Sequence, residues 1–156
     1  MLRTSLPSLK KNWSECSTFE ILIQFVKKVK EKPLALILFG SWATNNYFPS
    51  SDIDVLVLYE KKKDLLAKGL ELRRLDPSGA VEPFVYGKDQ LKKMIADLNP
   101  FILNVLMDGI VLYESIDSNL KEIERTFSET LQKFSVVREH TCWKIRDLKR
   151  WSKERI

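Results

Sequence analysis

Asp52 and Asp54 stand two residues apart at the head of the apolar run Val55-Leu56-Val57-Leu58. In a β-strand, residues so spaced share a face, which brings the two carboxylates within a few ångströms of each other. Like charges that close raise each other's pKa unless a cation intervenes. Hard carboxylate oxygens suit Mg²⁺ or Mn²⁺. Ten residues earlier another apolar run ends in Gly40-Ser41. Gly40 allows a tight turn that a side chain would obstruct. A helix over about 41–47 is expected to begin at Ser41, where backbone N–H groups are free to hold phosphate oxygens. Phosphate donors on one wall and metal ligands on the facing wall suit a metal-bound nucleoside triphosphate undergoing in-line displacement at phosphorus.

Other elements must hold these residues. Ser14 or Ser17 caps a helix with Phe19, Leu22, Phe25, Val26 and Val29 at helical spacing, and Pro33 stops it. Leu34 to Phe39 reads as a buried strand and Asp52 to Tyr59 as a second. A helix is expected over about 62–74. Asp76-Pro77-Ser78-Gly79 reads as a turn. The run 80–86 reads as a third strand, and Pro83 puts it at an edge or a bulge. Helices over 88–98 and 101–107 follow, then an Asp108-Gly109 turn and a short strand at 110–113. Residues 117–156 read as helical, with a second helix over 137–152 that carries His140. The fold class is therefore α/β (α+β): a small mixed sheet with flanking helices and a helical C-terminal extension. The divisions are a lead-in at 1–14, a domain at 15–116 and the extension at 117–156.

Composition narrows the classes. No run approaches the roughly 20 apolar residues of a membrane span, and the N-terminus has no signal-peptide core, which points to a cytoplasmic protein. Cys16 and Cys142 lie far apart and neither has a partner at metal-ligand spacing, so both read as reduced thiols in or near packed helices. A single histidine excludes a multi-histidine zinc site. The net charge of +5 permits a polyanionic partner such as a nucleoside triphosphate or RNA.

Leu38-Phe39-Gly40-Ser41 and Ser51-Asp52-Ile53-Asp54-Val55 resemble the signature of nucleotidyltransferases of the DNA-polymerase-beta superfamily, in particular the minimal nucleotidyltransferases (MNT). The resemblance extends through Asn99-Pro100-Phe101 to Asp108-Gly109-Ile110-Val111-Leu112-Tyr113-Glu114 and covers residues 15–115. It implies a Mg²⁺-dependent enzyme that moves a nucleoside monophosphate, AMP from ATP, to an acceptor hydroxyl. Asp52 and Asp54 would be catalytic and metal-binding. Glu82, in Ala80-Val81-Glu82-Pro83-Phe84, would be a third carboxylate, either ligand or general base. Gly40 and Ser41 would hold the β- and γ-phosphates, with Ser51 also at the nucleotide. The family further implies an antitoxin whose acceptor is a tyrosine on a HEPN-family toxin. The segment after Gly-Ser departs from the family: it holds Trp42, Ala43, Thr44, Asn45 and Asn46 where a basic residue and a glycine often stand.

Two other classes remain open. One is a nucleotide- or partner-binding module whose catalysis has lapsed, which the missing basic residue suggests. The other is a nucleic-acid-binding protein acting through the basic C-terminal segment. From Val137 to Ile156 there are seven basic and three acidic residues, and Trp143 and Trp151 are eight apart. On one helix these tryptophans would share a face, either packed on the domain or at a homodimer contact. Glu82 has a structural alternative, an edge-strand glutamate paired with a lysine, and Asp108 reads as a turn residue.

Overall fold

The computed structural model describes residues 2–3, 17–61 and 64–155. The expected lead-in at 1–14 therefore lies almost wholly outside the described residues, as do Ser14, Cys16 and residues 62–63. Among the described residues six helices and six strands follow one another: α1 (Ser17–Lys28), β1 (Ala35–Phe39), β2 (Ile53–Tyr59), α2 (Leu65–Arg73), β3 (Val81–Gly87), α3 (Lys88–Ala96), α4 (Pro100–Asp108), β4 (Ile110–Glu114), α5 (Leu120–Lys133), β5 (Val136–Glu139), β6 (Cys142–Ile145) and α6 (Leu148–Lys153). Among the described residues no helix is long and apolar enough to cross a membrane.

Strands β1 to β4 form one mixed sheet in the order β3-β2-β1-β4. β1 runs antiparallel to β2 and β4, whereas β2 and β3 are parallel. The continuous apolar runs of β1 and β2 follow from coverage of both sheet faces. On one face Ala35, Ile37, Phe39, Leu56 and Leu58 pack under α3, α4 and α5, against residues such as Leu91, Ile102 and Phe127. On the other, Leu36, Leu38, Val55 and Val57 meet Leu22 and Phe25 of α1 and Leu72 of α2. β3 is an edge strand, as Pro83 requires, because proline has no N–H to give a second neighbour.

Several expectations need correction. Residues 41–45 form turns and 46–47 are irregular, in place of the expected short helix. Thr44 N–H donates to Gly40 O (3.2 Å) and Asn46 N–H to Ser41 O (2.9 Å), and Asn45 then takes a left-handed φ of 61° that ends the coil. Residues 137–152 are not one helix: β5 and β6 form an antiparallel hairpin, and only α6 is helical there. Val136, Val137, Thr141, Trp143 and Ile145 are strand formers, and His140, with φ of 56°, sits in the tight connection rather than on a helix. Trp143 and Trp151 consequently lie on different elements and share no helix face. Cys142 is likewise an exposed strand residue.

Candidate active site

β2 carries the acidic pair. Alternation along the strand puts Asp54 on the face of Leu56 and Leu58, the side covered by α3 and α4, and Asp52 enters just ahead of it. Burial, followed by the negative charge of Asp52, pushes the Asp54 carboxyl from 3.8 up to about 6. A carboxylate pair held that close, with one member half-buried, has the charge and the hard oxygens that a divalent cation satisfies. The donor set therefore fits Mg²⁺ or Mn²⁺.

Gly40 closes one side of the pair. Its φ is +74°, and a Cβ there would stand 2.4 Å from Asp54 Oδ2. Only glycine allows the turn to approach the carboxylate so closely. The turn's own hydrogen bonds start at Thr44 N–H, so they leave the Ser41 amide unused. Trp42, where a cation was expected, has a structural role. Its ring is buried, stacks on Tyr47 at 3.7 Å, and donates Nε1–H to Ser51 O at 3.0 Å. Ser51 Oγ accepts from Phe48 N–H at 2.9 Å, so this serine also ties the turn to the head of β2.

β3 brings the third acid. In the parallel ladder Glu82 is the register partner of Asp54, and it lies on the same sheet face. Its carboxylate is paired with Arg73 of α2. Among the described residues no group of three or more His, Cys, Asp or Glu side chains converges tightly enough to hold a metal. Glu82 is thus beside Asp54 in the backbone but directed to Arg73 through its side chain. Glu82 is an edge-strand glutamate paired with an arginine, where its structural alternative named a lysine.

β3 is itself held in place by the turn before it. Asp76 accepts hydrogen bonds from Ser78 N–H (3.0 Å), Ser78 Oγ–H (2.6 Å) and Val81 N–H (2.9 Å). This buried carboxylate fixes the start of the strand that presents Glu82.

A cavity of about 320 Å³ opens at Gly40. Phe39 and Gly40 line one side with Thr44, and Phe101, Asn104 and Asp108 of α4 line the other. Phe39 meets Phe84 and Phe101 edge-on, each with ring centroids 5.2 Å apart, so the floor is aromatic. The remaining wall is Arg138 of β5. A larger groove of about 380 Å³ lies between α2 and β3 and includes Arg73 and Phe84 but none of the aspartates.

Several residues here escape sequence reasoning. Arg3 lies in the expected lead-in, yet its guanidinium donates to Ala43 O and to Asp108 O (3.0 Å). Its backbone pairs with Gly109 and Val111 beside β4. Arg73 and Arg138 give no local signal, because each meets its carboxylate only through tertiary folding. Asp108 is more than a turn residue, since it pairs with Arg138 at 2.8 Å.

A family model described as nucleotidyltransferase domain matches residues 21–139. No protein of curated function matches the chain. Among solved structures, the chain is similar to one in a toxin–antitoxin complex with AMP-PNP: 18% identity, 74% of this chain and 86% of that one covered, TM-score 0.47. It is also similar to one in the complex of tri-AMPylated Shewanella oneidensis HEPN toxin with MNT antitoxin: 17% identity, 74% and 82% covered, TM-score 0.44.

Proposed function

Because the chain belongs to the nucleotidyltransferase domain family, we propose that it moves AMP from Mg²⁺-bound ATP to an acceptor hydroxyl on a partner protein. The observation that carries this reading is the contact between Gly40 and Asp54, which joins a glycine turn and its cavity to a pair of adjacent carboxylates.

Asp52 and Asp54 would hold the metal, whose chemistry when bound is to neutralise charge gathering on the phosphorus oxygens and on the leaving pyrophosphate. The rest is done by the chain. The turn at Gly40 and Ser41 offers backbone donors to the β- and γ-phosphates, with Ser51 holding that turn to the strand. The aromatic floor of Phe39 and Phe101 gives a flat apolar surface of the kind a nucleobase occupies. The acceptor oxygen attacks the α-phosphorus in line, the bond from that phosphorus to the bridging β-phosphate oxygen breaks, and pyrophosphate leaves. Glu82, once released from Arg73, takes the hydroxyl proton. The pair is half-exposed, and such pairs hold by less than about 1 kcal/mol, so release is inexpensive.

Support for a tyrosine acceptor on a HEPN-type toxin comes from the resemblance of the two motif stretches to minimal nucleotidyltransferases. The test is co-expression with the protein encoded beside this chain, followed by labelling with α-³²P-ATP and Mg²⁺. Label on a tyrosine of that neighbour supports the reading, and label on nothing but free nucleotide opposes it.

The Arg73–Glu82 pair favours one second reading, a module that binds nucleotide and partner without transfer. It would bind Mg²⁺–ATP yet release no pyrophosphate with any acceptor. The nucleic-acid reading draws less support from this fold: the basic residues of 137–155 are divided between a hairpin and a short helix, and several are paired with acids, Lys144 with Glu139, Arg150 with Glu154 and Arg155 with Asp97.

A further inference from the structure

A nucleoside triphosphate beside Asp52 and Asp54 brings a polyanion next to two carboxylates, and one divalent cation does not balance that charge. The turn that would cradle the phosphates contains no lysine or arginine over residues 41–47. Among the described residues that line the cavity at Gly40, the one cationic side chain is Arg138.

Arg138 is held from two sides. Both carboxylate oxygens of Asp108 lie on its Nη1, at 2.9 and 2.8 Å. Trp143, its register partner across the β5–β6 hairpin, stands with its ring centre 5.8 Å from the guanidinium carbon. Trp143 is anchored in turn, because its Nε1–H donates to Asn104 Oδ1 at 2.9 Å. A guanidinium has five N–H donors in a planar fork. Asp108 engages those on Nη1, and Nε is buried without a partner. The fork is therefore fixed in orientation and only partly saturated, and its side chain keeps 27% of its exposure at the cavity wall. That is the condition of a preorganised anion site.

We propose that Arg138 binds the polyphosphate of the nucleotide, so that the cation of this site comes from the C-terminal hairpin and not from the turn after β1. Asp108 and Trp143 are its positioning residues. This rests on the triphosphate reading above. It also assigns the hairpin a function: without it the site would lose its phosphate cation.

Calorimetric titration of the full chain with Mg²⁺–ATP, Mg²⁺–ADP and AMP tests this. Arg138→Gln should weaken ATP binding at least tenfold and AMP binding less than twofold. Arg138→Lys keeps the charge, loses the fork, and should fall between wild type and Arg138→Gln for ATP. Lys144→Gln on the same hairpin should match wild type for all three ligands. The proposal is overturned if Arg138→Gln binds ATP within twofold of wild type. It is equally overturned if Arg138→Lys, with an unchanged melting temperature, weakens ATP and AMP alike, since the arginine would then be a structural staple. A wild-type chain that binds no triphosphate would instead overturn the triphosphate reading itself.

Discussion

Asp54 and Glu82 are register partners in the parallel ladder of β2 and β3, on one sheet face, yet the Glu82 carboxylate is paired with Arg73. The third acid of the site is therefore positioned by the sheet and restrained by a helix. Glu82→Gln should leave Mg²⁺–ATP affinity within a few-fold and slow transfer by about 10² or more, the usual range for a general base. Arg73→Gln should change transfer by no more than a few-fold, because a half-exposed pair contributes less than about 1 kcal/mol. Single-turnover rates with saturating ATP check both.

Gly40→Ala tests the turn. The added Cβ would meet Asp54 Oδ2 at 2.4 Å, at a φ of +74° that side chains rarely adopt. Either the turn or Asp54 must move. A loss of transfer of about 10² or more is expected from such a displacement of reacting groups, with a destabilisation of about 1–2 kcal/mol from the backbone strain. Thermal melts and pyrophosphate release separate the two effects.

Trp42 tests whether the same turn is built from its own packing. Trp42→Ala should cost about 3–5 kcal/mol, the range for truncating a buried aromatic, and should loosen the turn from Ser51. Trp42→Phe keeps an aromatic ring against Tyr47 and loses the Nε1–H bond to Ser51 O. Its cost should be about 1–2 kcal/mol. Denaturant unfolding gives both values.

Asp76 sets a pH dependence of stability. Burial alone would raise its pKa, but hydrogen bonds from the Ser78 hydroxyl and from the amides of Val81, Ser78 and Ala80 outweigh it and hold the carboxyl below its ordinary 3.8. A group depressed in the folded state stabilises above its unfolded pKa, and that contribution is lost as pH falls through the folded value. Asp76→Asn should therefore be less stable than wild type by about 1–3 kcal/mol at pH 7. The gap should narrow as pH falls below about 4, through the folded-state value. Urea unfolding across that range measures it.

The sheet and the acidic pair are legible in the sequence because their signals are local. Leu34 to Phe39 and Val55 to Leu58 are apolar on both faces, and Asp52 and Asp54 break that pattern at a strand head. Pro83 marks β3 as an edge for the same kind of reason. Residues 137–152 mislead because Trp143 and Trp151 fall at a helical interval by coincidence. The competing signal lies in the β-branched Val136, Val137, Thr141 and Ile145 on either side of His140. Arg3, Arg73 and Arg138 could not be assigned to the site, since their partners Ala43, Glu82 and Asp108 are brought to them only by the sheet and the hairpin. The turn at 41–47 is a middle case: its position is legible, but its coil ends at Asn45 before a helix can form.

The most direct test of the account is transfer of label from α-labelled ATP with Mg²⁺ to the co-expressed neighbouring protein by Asp54→Asn and Asp52→Asn. Asparagine keeps the shape of each side chain and removes its charge, and relieving a half-buried carboxylate should leave the melting temperature unchanged or raised. The account predicts Mg²⁺-dependent labelling by wild type and a fall of at least about 10² in each variant. Labelling by either folded variant within a few-fold of wild type would contradict it.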